Sequence, residues 1–133
     1  MLCVVVAMLI FDTDVLIFAQ RGNEKAIAVI DSTEDRALSV QTYMELLQRA
    51  QNKEQNRKTL RFIQGMRFAI LPLSENIGHR ASVYVEEYSL SHSMAAGDAI
   101  IASTAVENGW PLLSGNAKHF RAVKELQFMV FKP

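Results

Sequence analysis

A single cysteine, Cys3, stands in the 133 residues, so no intramolecular disulfide can form and a cysteine-rich zinc module is excluded. Charge of one sign is missing too. The 14 basic and 14 acidic side chains cancel, which argues against a histone-like or polybasic binder while leaving local patches open. No Pro/Gly-rich linker, low-complexity stretch or internal repeat divides the chain. Nor does any apolar run approach the roughly 20 residues that cross a bilayer. Residues 1–11 are apolar throughout, but they lack a positively charged start, and Asp12 and Asp14 follow where a small-residue cleavage site would stand. The expectation is a cytoplasmic protein with no membrane segment, which suits its free cysteine. What is present is half hydrophobic and about a fifth charged, at a length that fits a single domain over 1–133. Such a domain buries roughly two-thirds of the surface its unfolded chain exposes and needs no staple to fold.

Strand-like runs alternate with helical ones. Residues 4–11 read as a strand buried on both faces, 15–19 as the start of a short helix, 24–31 as a helix and 37–40 as a short strand. Residues 42–66 read as one bent helix or two, and 68–71 as a strand stopped by Pro72. Ser74 caps a further helix with Ile77, Ala81, Tyr84, Val85 and Tyr88 at helical spacing. Residues 89–97 read as a loop, 98–107 as a helix ended by Asn108-Gly109, and 110–113 and 128–131 as the last strands. Connections too long for hairpins point to a parallel sheet covered by helices, an α/β fold.

In such sheets ligands sit beyond the carboxyl ends of the strands. Asp12 and Asp14 follow the first strand, Glu45 lies about a turn inside the helix after the second, Asp98 opens a helix, and Asn116 follows the fourth strand. Each has a plainer alternative: Asp12, Asp14 and Asp98 can cap helices, and Glu45 can be a partly exposed helix glutamate. Taken together, three carboxylates brought to one edge repel one another unless one is protonated or a cation sits between them. Oxygen-only ligation favours Mg2+ or Mn2+ over zinc, for which there is no H-x-x-x-H. Metals held this way suit phosphodiester hydrolysis, in which one lowers the pKa of an attacking water and a second, about 3.5–4 Å away, steadies the leaving oxygen.

Four segments resemble the motifs of one family, in order. Leu9-Ile10-Phe11-Asp12-Thr13-Asp14-Val15-Leu16-Ile17 resembles the opening motif of PIN-domain nucleases, particularly the VapC-type toxins of toxin–antitoxin systems. Leu38-Ser39-Val40-Gln41-Thr42-Tyr43-Met44-Glu45-Leu46-Leu47 is similar to the second, Gly97-Asp98-Ala99-Ile100-Ile101-Ala102-Ser103-Thr104-Ala105 to the third, and Pro111-Leu112-Leu113-Ser114-Gly115-Asn116-Ala117-Lys118-His119-Phe120 to the fourth. The resemblance implies a three-layer α/β/α domain with a central parallel sheet of four to five strands. It implies a metal-dependent endoribonuclease in which Asp12, Glu45 and Asp98 bind Mg2+ or Mn2+ and Asn116 completes the catalytic set. It also implies a cognate antitoxin protein that blocks the site, and a homodimer. The departure is in the fourth motif, where many relatives carry an aspartate at the position of Asn116 or of His119. Asn116 can orient a water or a phosphate but adds no charge, which bears on a second metal.

Zero net charge conceals an uneven distribution. Six basic residues and one acid lie between Arg49 and Arg67, a segment of +5 against −5 for the rest. Arg49, Lys53, Arg57 and Arg61 recur every four residues and form a basic stripe if one helix runs through them, suited to RNA phosphates or, equally, a solvated face. Two other readings stay open. Asp12-Thr13-Asp14-Val15 also fits the D-x-D motif of haloacid-dehalogenase-type phosphohydrolases, with Asp12 as nucleophile, although Ala102 stands where that family needs a second acid. The other is a non-catalytic PIN-like binding module.

Overall fold

The computed structural model describes residues 6–133; Cys3 and the first two residues of the expected opening strand lie outside the described residues. Five strands form one sheet: β1 (Val6–Phe11), β2 (Thr33–Ser39), β3 (Ala69–Leu71), β4 (Leu112–Ser114) and β5 (Phe128–Val130). Their order is β3-β2-β1-β4-β5 and every pairing is parallel, with Ile10 opposite Ala37 on one side and Leu112 on the other. Helices α1 (Thr13–Gln20), α2 (Glu24–Asp31), α3 (Val40–Gln48) and α4 (Lys53–Gly65) supply one core with Leu9, Phe11, Leu38 and Leu113. Helices α5 (Glu75–His92), α6 (Ala96–Asn108) and α7 (Ala117–Phe120) supply the other with Ile10, Ala37 and Leu112. Successive strand residues thus feed opposite cores, as the two-residue period of a strand requires. The result is the expected three-layer α/β/α arrangement, at five strands.

The order reverses between β1 and β4. From β1 the chain crosses to β2 on one side, and from β4 it crosses to β5 on the other. This is a switch point, and its crevice opens at the carboxyl ends of β1 and β4. Asp12 and Ser114 stand there.

Several expected elements shift. The segment expected over 42–66 is two helices: α3 closes at Arg49, and Asn52 starts α4 by accepting a hydrogen bond from the Gln55 N–H at 2.9 Å. The proposed stripe is therefore broken, with Arg49 at the end of α3 and only Lys53, Arg57 and Arg61 sharing α4. Strand β2 begins at Thr33 rather than at residue 37, and Val40 already belongs to α3. The loop expected over 89–97 is mostly helix, since α5 runs to His92 and ends on Ser93 in the left-handed region (φ 53°). Ser74 caps α5 as expected, accepting from the Ile77 N–H at 3.1 Å.

Candidate active site

Asp12 leaves β1 and becomes the N-cap of α1: its Oδ1 accepts from the Thr13 N–H at 2.8 Å. The capping reading is correct, and it uses one oxygen. The other, Oδ2, faces the switch-point crevice, where the Ser114 hydroxyl donates to it at 2.6 Å and Asn116 Nδ2 lies 3.5 Å away. Asp12 is 3% exposed, and burial, with Asp14 and to a lesser extent Asp98 nearby, pushes its carboxyl up to about 7 despite the two hydrogen bonds.

Asp14 sits one turn corner further on. Its carboxylate accepts from the Val15 N–H at 2.8 Å and, across the crevice, from the Gly115 N–H at 2.9 Å. A Cβ at position 115 would lie 2.7 Å from Asp14 Oδ2, so only glycine allows this approach. Burial raises the Asp14 carboxyl as well.

Glu45 reaches the site from α3. It is half-buried, as the partly exposed helix glutamate of the plainer reading would be. Thr13 Oγ1 donates to Glu45 Oε1 at 2.7 Å and lies 3.1 Å from the Thr42 hydroxyl. Opposite it, α6 begins. Gly97 allows the two helices to close up, because a Cβ there would stand 3.1 Å from Gln41 Nε2 and 3.4 Å from Glu45 Oε2. Asp98 is not the N-cap of α6 but its third residue, and it accepts from the Ala95 N–H at 3.0 Å. His119 Nδ1 lies 3.8 Å from Asp98 Oδ2 and 3.2 Å from the His92 carbonyl oxygen, so this histidine is fastened to the site instead of lying free on the surface.

The structure thus brings Asp12, Asp14, Glu45, Asp98 and Asn116 to the carboxyl edge of the sheet. The hydroxyls that hold the carboxylates, Thr13 on Glu45 and Ser114 on Asp12, were not foreseen as site residues, nor was Thr42, whose hydroxyl accepts from Thr13. Lys53, Arg57 and Arg61 lie on the exposed face of α4 and make no ion pair with the acids, whereas Arg49 borders the same small cavity as Thr13 and Glu45.

Among the described residues no lysine or arginine lies within 4.0 Å of these acids, and no three histidine, cysteine or acidic side chains are placed to hold a metal ion by themselves. The donor set still fits one class of cation. It is all oxygen and short of positive charge, and Mg2+ takes only one or two carboxylates while keeping several waters.

A parallel α/β fold with carboxylates at its switch point, unpaired by lysine or arginine among the described residues, defines the class. The PIN domain family model matches residues 9–126, and the chain belongs to the PIN-domain family. Ribonuclease VapC1 of Rickettsia felis is 29% identical over 133 residues, covering 91% of this chain and 94% of that protein. A chain in a toxin-antitoxin complex from Klebsiella pneumoniae is 27% identical with a TM-score of 0.74, covering 89% of this chain and 94% of that one. VapBC2 from Rickettsia felis, bound to a DNA fragment from their promoter, matches at 18% identity and a TM-score of 0.76 over 94% of this chain and 99% of that one; at that identity it shows the fold alone. The phosphohydrolase alternative falls with these matches, and Ala102, where it required an acid, is fully buried in α6.

Proposed function

We propose that the chain is a VapC-type PIN-domain endoribonuclease, the toxin of a toxin–antitoxin pair, and that it hydrolyses RNA phosphodiester bonds with Mg2+ or Mn2+. The observation that carries this reading is Asp12: a buried carboxylate at the switch point, beside further acids, with no lysine or arginine within 4.0 Å among the described residues.

Asp12, Glu45 and Asp98 are the residues that would hold the cation, in part through water. A bound divalent cation supplies the charge that lowers the pKa of an attacking water and steadies a phosphate. The chain's own part is positioning. Ser114 and the Thr13 N–H fix both oxygens of Asp12, Thr13 fixes Glu45, and Asp14 ties the Gly115 backbone to the start of α1. Asn116, exposed and beside Asp12, offers an amide to orient water or a phosphate oxygen.

The similar complexes support an antitoxin as partner. A homodimer is the further expectation, open to sedimentation analysis. The test is cleavage of RNA by the purified chain with Mg2+, followed by mapping of the cut ends. Cleavage is expected to stop in excess EDTA and in Asp12→Ala, and growth arrest on expression is expected to be relieved by the product of the neighbouring gene. Full cleavage in Asp12→Ala or in EDTA sinks the mechanism. A non-catalytic binding module would show no cleavage and no Mn2+ binding at micromolar to millimolar levels.

A further inference from the structure

Two cavities lie in sequence along the α1, α3 and α4 side of the molecule. The first, about 320 Å³, begins at the site itself and is bordered by Thr13, Glu45 and Arg49. The second, about 440 Å³, shares Arg49 and adds Arg21, Lys58, Gln20, Gln55 and Thr59. Each falls in the size range of a pocket for one small ligand, about 300–1,000 Å³.

The second cavity has three cationic side chains and two neutral amides, and no acid lies on its wall. Gln20 Nε2 donates to Thr59 Oγ1 at 3.3 Å, which joins α1 to α4 across the cavity. Glu54 stands 3.9 Å from Lys58, but both side chains are mostly exposed, and such a pair contributes little and yields readily to another anion. The spacing fits an extended strand. Asp12 caps the start of α1 and Arg21 its end, nine residues on, or about 14 Å at 1.5 Å per residue.

A further cavity, about 580 Å³ under α5, offers the opposite chemistry. Glu87, Glu107 and Glu125 line it, and its Arg80 is already engaged by two of them.

We propose that the second cavity is a subsite for backbone phosphates of the substrate RNA beyond the scissile one. Arg49 passes the strand from the Glu45 cavity to Arg21 and Lys58. The proposal rests on the reading of the chain as a ribonuclease, and it moves the RNA path off the outer face of α4 (Lys53, Arg57, Arg61) onto the seam between α1 and α4.

The test uses the full chain carrying Asp12→Ala, so that RNA stays intact, and a fluorescein-labelled oligouridylate as probe. Affinity is measured against salt concentration for this chain, for the same chain with Arg21→Gln plus Lys58→Gln, and for it with Arg57→Gln plus Arg61→Gln. Two lost phosphate contacts to a single strand reduce the slope of log affinity against log salt by about 1.4. That reduction, with an affinity loss of about tenfold or more at low salt, is expected for the Arg21/Lys58 pair, and a smaller one for the Arg57/Arg61 pair. An unchanged slope for Arg21/Lys58, or equal changes for both pairs, overturns the proposal. So does a result in which Arg21/Lys58 binds RNA normally but loses the protein encoded by the neighbouring gene, because the cavity is then a protein-docking site. Cleavage by the otherwise unaltered chain is scored separately. If RNA is never cut while the slope still falls, the ribonuclease reading fails and the phosphate subsite stands.

Discussion

Two groups of carboxylates in this small domain have opposite fates. Under α5, Glu107 and Glu125 share the Arg80 guanidinium at 2.7 and 3.1 Å, and the Tyr84 hydroxyl donates to Glu125 at 2.6 Å. That hydroxyl, with help from Arg80, holds the Glu125 carboxyl below its usual range, while burial and the same glutamate push Tyr84 up to about 12. At the switch point Asp12 meets Asp14 and Asp98 with hydroxyl and amide donors only, and its carboxyl rises to about 7. One group is internally balanced and serves the fold. The other has no lysine or arginine within 4.0 Å among the described residues. The number of acids is therefore a poor guide to a site, and the lack of a cationic partner is the better one.

The largest expected contrast is in activity. Asp12→Ala is expected to lower RNA cleavage by about 10³-fold or more, since on the proposed mechanism it removes the group at the centre of charge stabilisation. Arg80→Met, in the balanced group, should leave cleavage within about twofold while lowering stability in urea by about 1–2 kcal/mol, as Glu107 and Glu125 lose their partner. A comparable loss of cleavage in Arg80→Met erases the distinction between the two groups.

Stability should show the reverse order. In the metal-free fold Asp12 holds its proton more tightly than in the unfolded chain, because burial raises its carboxyl from 3.8 to about 7. Its contribution to stability is thus fully present below about pH 4 and is lost as pH rises through about 7. Asp12→Asn, neutral at every pH, is expected to exceed the parent by about 1–3 kcal/mol near pH 8 and to match it near pH 4. Denaturation at the two pH values with EDTA present checks this. A parent that gains on the variant as pH rises contradicts it.

A smaller effect sharpens the geometry. Gly97→Ala places a methyl against the ends of Gln41 and Glu45, both flexible side chains, in a helix that alanine suits better than glycine. Stability is expected to hold or to rise by a few tenths of a kcal/mol, while cleavage falls several-fold as Glu45 is displaced. Unchanged cleavage would show that it does not depend on where Glu45 stands against Gly97.

Much of this was legible in the sequence, for stated reasons. A Val/Ile-rich run ending in Asp-Thr-Asp marks a buried strand opening onto an acid, and alternating strands and helices imply that the acids share an edge. The clasps around the acids were not legible. Ser114 to Asp12 and Thr13 to Glu45 join residues 102 and 32 apart, and only the strand order brings them together. Strand β2 was read short because Thr33-Glu34-Asp35-Arg36 is polar, yet these residues pair with β1 at the end of the sheet away from the site, where Glu34 and Asp35 are exposed. The serines of 89–93 suggested a loop; instead α5 continues, with the His92 ring edge-on to Tyr88. The break between α3 and α4 turned on a side-chain cap by Asn52, which the four-residue spacing of the basic residues concealed.

The most direct measurement is calorimetric titration with Mn2+ of the parent, Asp12→Ala and Glu125→Gln. Saturable binding is expected in the parent and in Glu125→Gln, and none in Asp12→Ala. Equal binding in all three, or none in the parent, contradicts the claim that the switch-point acids are the ones gathered around a cation.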